Sequence, residues 1–197
     1  MIRYNIHFCD KCHLGIFNGF TPVCGQGEGR DIMIVGEAPG VTEKTKGEPF
    51  VGKSGKLLKK YLNHYGLSEH SYITNVVKCR PPANRKPRDI EIASCRGYLL
   101  REIAIVKPKM IILLGATAIN FMYPNVAYVK ERAGRFKRHG KVIVGCYYHP
   151  SYILQNKEKE VNFKEFFANC ADIYNYLNPY FVKNYLHDRI KKSDIRR

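Results

Sequence analysis

Apolar positions along this chain follow two patterns. Four short runs are almost unbroken: Asp31–Val35 (DIMIV), Tyr72–Val77 (YITNVV), Met110–Leu114 (MIILL) and Val142–Tyr147 (VIVGCY). Continuous Ile/Val-rich runs of this length suit parallel strands covered on both faces. Between and after them the apolar residues recur at helical spacing. Ser54–Tyr65 places Leu57, Leu58, Tyr61, Leu62 and Tyr65 on one stripe, and Arg88–Val106 does the same with Ile92, Leu99, Leu100 and Ile103. Ala116–Tyr123 predicts a short helix, and Asn162–Leu177 a longer one with Phe163, Phe166, Phe167, Ile173 and Leu177. Strands alternating with helices predict the α/β class: a three-layer α/β/α fold with a central, mainly parallel four-stranded sheet.

In such sheets ligands bind beyond the carboxyl ends of the strands. The first run leads into Gly36-Glu-Ala-Pro-Gly40, and the second passes through Asn75 into Lys78-Cys-Arg-Pro-Pro-Ala-Asn-Arg-Lys-Pro87. The third stops at Gly115 and the fourth enters His149-Pro-Ser151. Gly36–Gly40 is not a dinucleotide loop, and Gly52-Lys53-Ser54-Gly55 lacks the earlier glycine of a P-loop. The Gly52–Gly55 stretch still opens a helix, where free amides favour phosphate, with Ser54 as a plain N-cap the competing reading. Asn75 is an amide inside an apolar strand, so it either caps a loop or presents two hydrogen bonds to a ligand. Phe50 is a loop aromatic that suits a stacking platform or a core. Glu37 and Glu43 suit acid/base work or a solvated loop, and His149 suits catalysis or structure.

Composition narrows the partner. The chain has 197 residues, with 33 Lys+Arg against 17 Asp+Glu and a formal net charge of +16. Length favours one folded domain, residues 1–177, followed by a basic C-terminal extension, 178–197. No apolar run approaches a membrane span, and the first residues lack the apolar stretch of a signal peptide, so an intracellular, cytoplasmic protein is expected. The cationic excess points to a polyanion, above all nucleic acid. Lys78, Arg80, Arg85, Lys86 and Arg88 crowd a proline-stiffened loop suited to a phosphate backbone. A second basic run, Lys130 to Lys141, reads as a hairpin-like or irregular solvated excursion. Seven cysteines, an odd number with no sign of secretion, argue against a disulfide framework. Cys9-Asp-Lys-Cys12 by itself is compatible with metal binding, redox chemistry or a chance pair.

Taken in order, these segments resemble the family 4 uracil-DNA glycosylases. The resemblance covers about residues 5 to 177 and rests on Cys9-x-x-Cys12, Gly36-Glu-Ala-Pro-Gly40 with Glu43, Gly47-Glu-Pro-Phe-Val-Gly-Lys-Ser-Gly-Lys-Leu-Leu58, Thr74-Asn-Val-Val-Lys-Cys-Arg-Pro-Pro82 with Asn84-Arg85, Cys95, and His149-Pro-Ser-Tyr152. It implies a [4Fe–4S] cluster on Cys9, Cys12, Cys79 and Cys95, although four thiolates by themselves also suit zinc. It implies a monofunctional enzyme that flips uracil out of DNA and hydrolyses its glycosidic bond, initiating base excision repair. Glu37 and His149 are then the catalytic candidates. Ala38, Pro39, Glu43, Phe50 and Asn75 join them around the base, with Glu43 guarding the face that excludes thymine. Lys53, Ser54, Lys78, Arg80, Arg85, Lys86, Arg88, Ser151, Tyr152 and Leu154 are the expected DNA contacts, the last as part of an intercalating wedge. Uracil-containing DNA is the expected partner, met by a monomer, and the C-terminal tail is a candidate contact for replication or repair proteins. The alternatives are excision of another deaminated base such as hypoxanthine, or a non-catalytic iron–sulfur protein that binds DNA or a polymerase. Lys44, where family members commonly carry a second acid, departs from the pattern.

Overall fold

The computed structural model describes Ile6, residues 8–19 and residues 21–178. The C-terminal extension lies outside the described residues, apart from Asn178. Twelve named elements matter here: α1 (His13–Phe17), β1 (Ile32–Gly36), α2 (Val41–Lys46), α3 (Lys53–His64), β2 (Ser71–Asn75), α4 (Asp89–Val106), β3 (Met110–Leu114), α5 (Ala116–Met122), β4 (Phe136–His139), β5 (Val142–Tyr147), α6 (Pro150–Gln155) and α7 (Glu160–Leu177). The sheet runs β2-β1-β3-β5-β4, with the first four strands parallel and β4 antiparallel to β5.

The architecture is the α/β/α expected, with one correction: the sheet has five strands rather than four. The extra strand, FKRH, lies in the second basic run. Its Phe136 is half-buried while Lys137, Arg138 and His139 are exposed. An edge strand needs no apolar pattern on its outer side, and charged residues there discourage pairing with other chains.

Alternate strand residues feed two cores. Ile32, Ile34, Met110, Ile112 and Leu114 pack with Leu57, Leu58 and Leu62 of α3 and Phe163, Phe166 and Phe167 of α7. Met33, Val35, Ile111, Leu113, Val144 and Cys146 pack on the other side with Leu14, Leu99, Ala118 and Ile119. Period-two alternation with both faces covered accounts for the continuous apolar runs. The segment around Gln26 covers the outer edge of β2, exchanging backbone hydrogen bonds with Ile73 at 2.7 and 2.9 Å. Among the described residues, no helix is long and apolar enough to cross a membrane.

From β1 the chain moves outward to β2, then returns past β1 to β3. The loops after β1 and β3 therefore part at this point, leaving a crevice at the carboxyl edge of the sheet.

Candidate active site

The crevice is a cavity of about 490 Å³ lined by Glu37, Ala38, Pro39, Glu43, Phe50, Lys53, Ser54, Asn75, Asn84, Arg85, His149 and Ser151, among others. Residues scattered over more than a hundred positions thus converge because they follow, or end, adjacent parallel strands.

Asn75 is the last residue of β2, paired with Gly36 of β1 and 2 % exposed. Among the described residues its side-chain amide has no hydrogen-bond partner, so its donor and acceptor are available to a ligand. Gly36 makes room for it. A Cβ there would lie 2.5 Å from the Phe50 ring and 2.6 Å from Asn75 Oδ1. Phe50 is buried, as a core residue would be, and it also lines the cavity. Its φ of 53° lies in the left-handed region. That turn packs against α3 because a Cβ on Gly55 would strike the Phe50 carbonyl oxygen at 1.9 Å.

His149 caps α6. The Ser151 main-chain N–H donates to Nδ1 at 3.2 Å, and Ser151 Oγ lies 2.8 Å from the same nitrogen. A main-chain N–H can only donate, so Nδ1 accepts and the neutral ring carries its proton on Nε2. Burial pushes the imidazole down to about 4, with the Glu43 carboxylate opposing the shift. At neutral pH the ring is an uncharged Nε2–H donor. Gly115, with φ of 89°, packs against it; a Cβ there would sit 3.0 Å from His149 Cβ.

The two acids have separate tasks. Glu37 Oε2 accepts from Thr117 Oγ1 at 2.5 Å, a partner on α5 that sequence reading did not single out. Glu43 ties the rim together: Oε1 accepts from Val51 N (3.0 Å) and Gly52 N (2.7 Å), and Oε2 from Gly40 N (3.1 Å). Its carboxylate lines the cavity while bracing two loops. The α3 N-cap is Gly52, not Ser54, and Lys53 and Ser54 lie at the cavity rim.

The basic loop departs most from expectation. Lys78 is not a phosphate-contacting cation: it is 1 % exposed and paired with Glu102 at 2.6 Å. Arg80 Nε donates to Asn84 Oδ1 at 2.7 Å. Arg85 grips the buried Glu91 through two hydrogen bonds of 2.6 and 2.9 Å. Lys86 and Arg88 are exposed. In α6, Ile153 is buried, whereas Tyr152 and Leu154 are exposed and Tyr152 stacks on Tyr148 with ring centroids 4.8 Å apart. The outward-facing Leu154 suits a wedge; Ile153 anchors the helix.

Among the described residues, no group of three or more Cys, His, Asp or Glu is assembled in metal-ligating geometry. The four candidate cysteines nevertheless occupy one neighbourhood. Burial, then the nearby thiols of Cys95, Cys12 and Cys9, push the Cys79 thiol up to about 12. Tyr98 Oη donates to Cys9 Sγ at 3.3 Å, and bare Gly15 lets α1 lie directly on the Cys9 carbonyl. Cys146 and Cys170 are simply buried in the two cores.

Residues 24–173 match the family model of the uracil DNA glycosylase superfamily, and the chain belongs to that superfamily. The chain is 39% identical over 177 residues to the type-4 uracil-DNA glycosylase of Archaeoglobus fulgidus, covering 83% of this chain and 88% of the relative. It is 41% identical over 165 residues to the Thermotoga maritima type-4 enzyme (82% and 85%), and 35% over 205 residues to that of Saccharolobus solfataricus (98% and 94%). Its branch within the superfamily is type 4.

Proposed function

We propose that this chain is a monofunctional uracil-DNA glycosylase that starts base excision repair. The observation that carries the reading is the pairing, in one crevice, of an unengaged Asn75 amide with a neutral His149 donor. Uracil offers N3–H and O4 on one edge, matching the Asn75 amide oxygen and NH₂. Cytosine offers an amino group in place of O4 and no proton on N3, so both bonds fail and buried groups are left unpaired. Hypoxanthine offers the same lactam pair, N1–H and O6, but on a two-ring base, so the crowding of Phe50 and Asn75 over Gly36, rather than the Asn75 edge, ranks it below uracil. The flipped ring lies against Phe50, with Ala38 and Pro39 closing the loop side and Glu43 bracing the face toward C5.

As the C1′–N1 bond breaks, its electron pair leaves with uracil, and His149 Nε2–H donates to the developing anion at O2. Water adds to the oxocarbenium-like sugar at C1′. Glu37, held by Thr117, orients that water and accepts its proton. Arg80, Lys86, Arg88, Lys53, Ser54 and Ser151 frame the mouth toward phosphate, while Tyr152 and Leu154 face the gap in the stack. Arg85 acts mainly through Glu91. The reading takes the protein to act as a monomer in the cytoplasm, at the nucleoid. A [4Fe–4S] cluster held by Cys9, Cys12, Cys79 and Cys95 completes it; the all-thiol donor set from three chain segments fits such a group. When bound, it ties the N-terminal turn to the β2 exit and α4 and adds the capacity to exchange an electron.

The test is strand scission, after alkali, of an oligonucleotide with one dU opposite dG. The wild-type protein cleaves it, and His149→Ala lowers the single-turnover rate by roughly 10²-fold. Substrate left intact by wild-type protein overturns the reading. Because His149 stays neutral until about pH 4, activity holds from neutrality down to roughly pH 5. An acid limb near 6.5 would contradict the buried donor.

A further inference from the structure

We propose that Lys78 and Glu102 form a positioning pair that aims Asn75 at the base. The inference rests on the uracil-reading role given to Asn75 above. Lys78 Nζ makes three short hydrogen bonds: to Glu102 Oε2 (2.6 Å), to Thr74 Oγ1 (2.7 Å) and to the main-chain carbonyl of Asn75 (2.8 Å). Glu102, fully buried on α4, also accepts from Thr74 Oγ1 (2.8 Å), Gly25 N (3.2 Å) and Tyr72 Oη (3.3 Å). The ammonium therefore folds back beneath the turn that ends β2 and holds that turn from the strand side.

Asn75 is where the β1–β2 ladder stops. Past it, the chain is carried by Val76 N to Gly36 O (2.9 Å) and Val77 N to Glu37 O (3.0 Å). The Asn75 carbonyl points instead to Lys78, and this contact sets the peptide plane from which the Asn75 side chain departs. A buried ion pair is a costly way to gain stability; apolar residues of similar volume often serve as well or better. What the apolar substitute lacks is a donor for the Asn75 carbonyl. The pair thus has a reason to exist in the geometry of base reading, where a displacement of about 1 Å costs a large factor in rate.

The experiment compares wild type, Lys78→Met and the double variant Lys78→Met/Glu102→Leu. Four quantities are measured: thermal midpoint, affinity for free uracil by calorimetry, affinity for DNA with a stable abasic site, and single-turnover excision. Abasic DNA offers nothing for Asn75 to read, so it reports the rest of the binding surface. The expected result is a loss of roughly tenfold or more in uracil affinity and excision in both variants. Affinity for abasic DNA stays within about twofold. The double variant regains thermal stability without regaining either uracil readout. Recovery of uracil binding along with stability would overturn the proposal, as would an equal loss on abasic DNA. A double variant that fails to fold also overturns it, because the pair then holds the fold and not the reader. Wild-type protein that neither binds nor excises uracil refutes the functional reading itself, independently of how the variants differ.

Discussion

Two basic segments look alike as sequence and behave differently as structure. In the loop after β2, Lys78 is buried on Glu102, Arg80 is tied to Asn84, and Arg85 is clamped on Glu91. In the ribbon leading into β5, Arg135, Lys137, Arg138 and Lys141 are exposed. The first segment uses Lys78, Arg80 and Arg85 as internal fasteners around a cavity and leaves Lys86 and Arg88 exposed, and the second uses its cations as a solvated edge. A count of positive charges therefore gives the reach of the field around the protein, while the partners of each charge decide which are left for DNA.

The largest effect that sharpens this contrast is expected from Glu102→Leu alone. It strands the Lys78 charge in the core and destabilises the fold by about 3–5 kcal/mol in a denaturant titration. A loss below 1 kcal/mol would mean that the Lys78 ammonium escapes to solvent, and the two segments would then be alike. Glu91→Gln comes next. It weakens the grip on Arg85 and loosens the loop that carries Asn84 and Arg85 to the cavity, so amide exchange across residues 82–88 rises and excision slows several-fold. The same clamp responds to acid. Arg85 holds Glu91 below the usual carboxylate range. Its contribution is full above the ordinary glutamate value and is lost as pH falls through the lowered one, which exchange measured across that range will follow. The smallest effect belongs to Arg135→Ser/Lys137→Ser/Arg138→Ser. Stability shifts by no more than about 0.5 kcal/mol per site, and excision from a short oligonucleotide stays within about twofold. A large change in either would erase the distinction between fasteners and edge.

Much of this was legible in sequence because it depends on short-range pattern. Met110–Leu114 and Val142–Tyr147 coincide with β3 and β5, and the others lie within two residues of their elements. Their side chains are buried on both faces, and burial leaves a mark on composition. β4 left no such mark, having one half-buried residue in four. The short helices α1, α2 and α6 are too brief to show a period; Pro150 and the His149 cap define α6 better than any apolar stripe. At the site, Asn75, Glu37 and His149 stood out as polar groups at or just past strand ends, and Phe50 as an aromatic in a loop. Thr117 did not, since a threonine in a helix carries no signal until Glu37 is placed beside it. Lys78 was misassigned for the same reason. Nothing local reveals that Glu102, 24 positions onward in the chain, passes beneath it.

The bare Cα at Gly36 limits how this site can change. The floor is closed from below by a strand backbone, and the neighbouring aromatic is pinned by its own turn on α3. Neither can yield to a bulkier heterocycle without disturbing the sheet. Any drift toward a different lesion has to come through the rim between Pro39 and Glu43, where the segment after β1 enters α2 and which lies outside every strand. Chemistry and repertoire are thereby separated: the depth of the slot is inherited with the sheet, and its width is left to the rim where β1 hands over to α2.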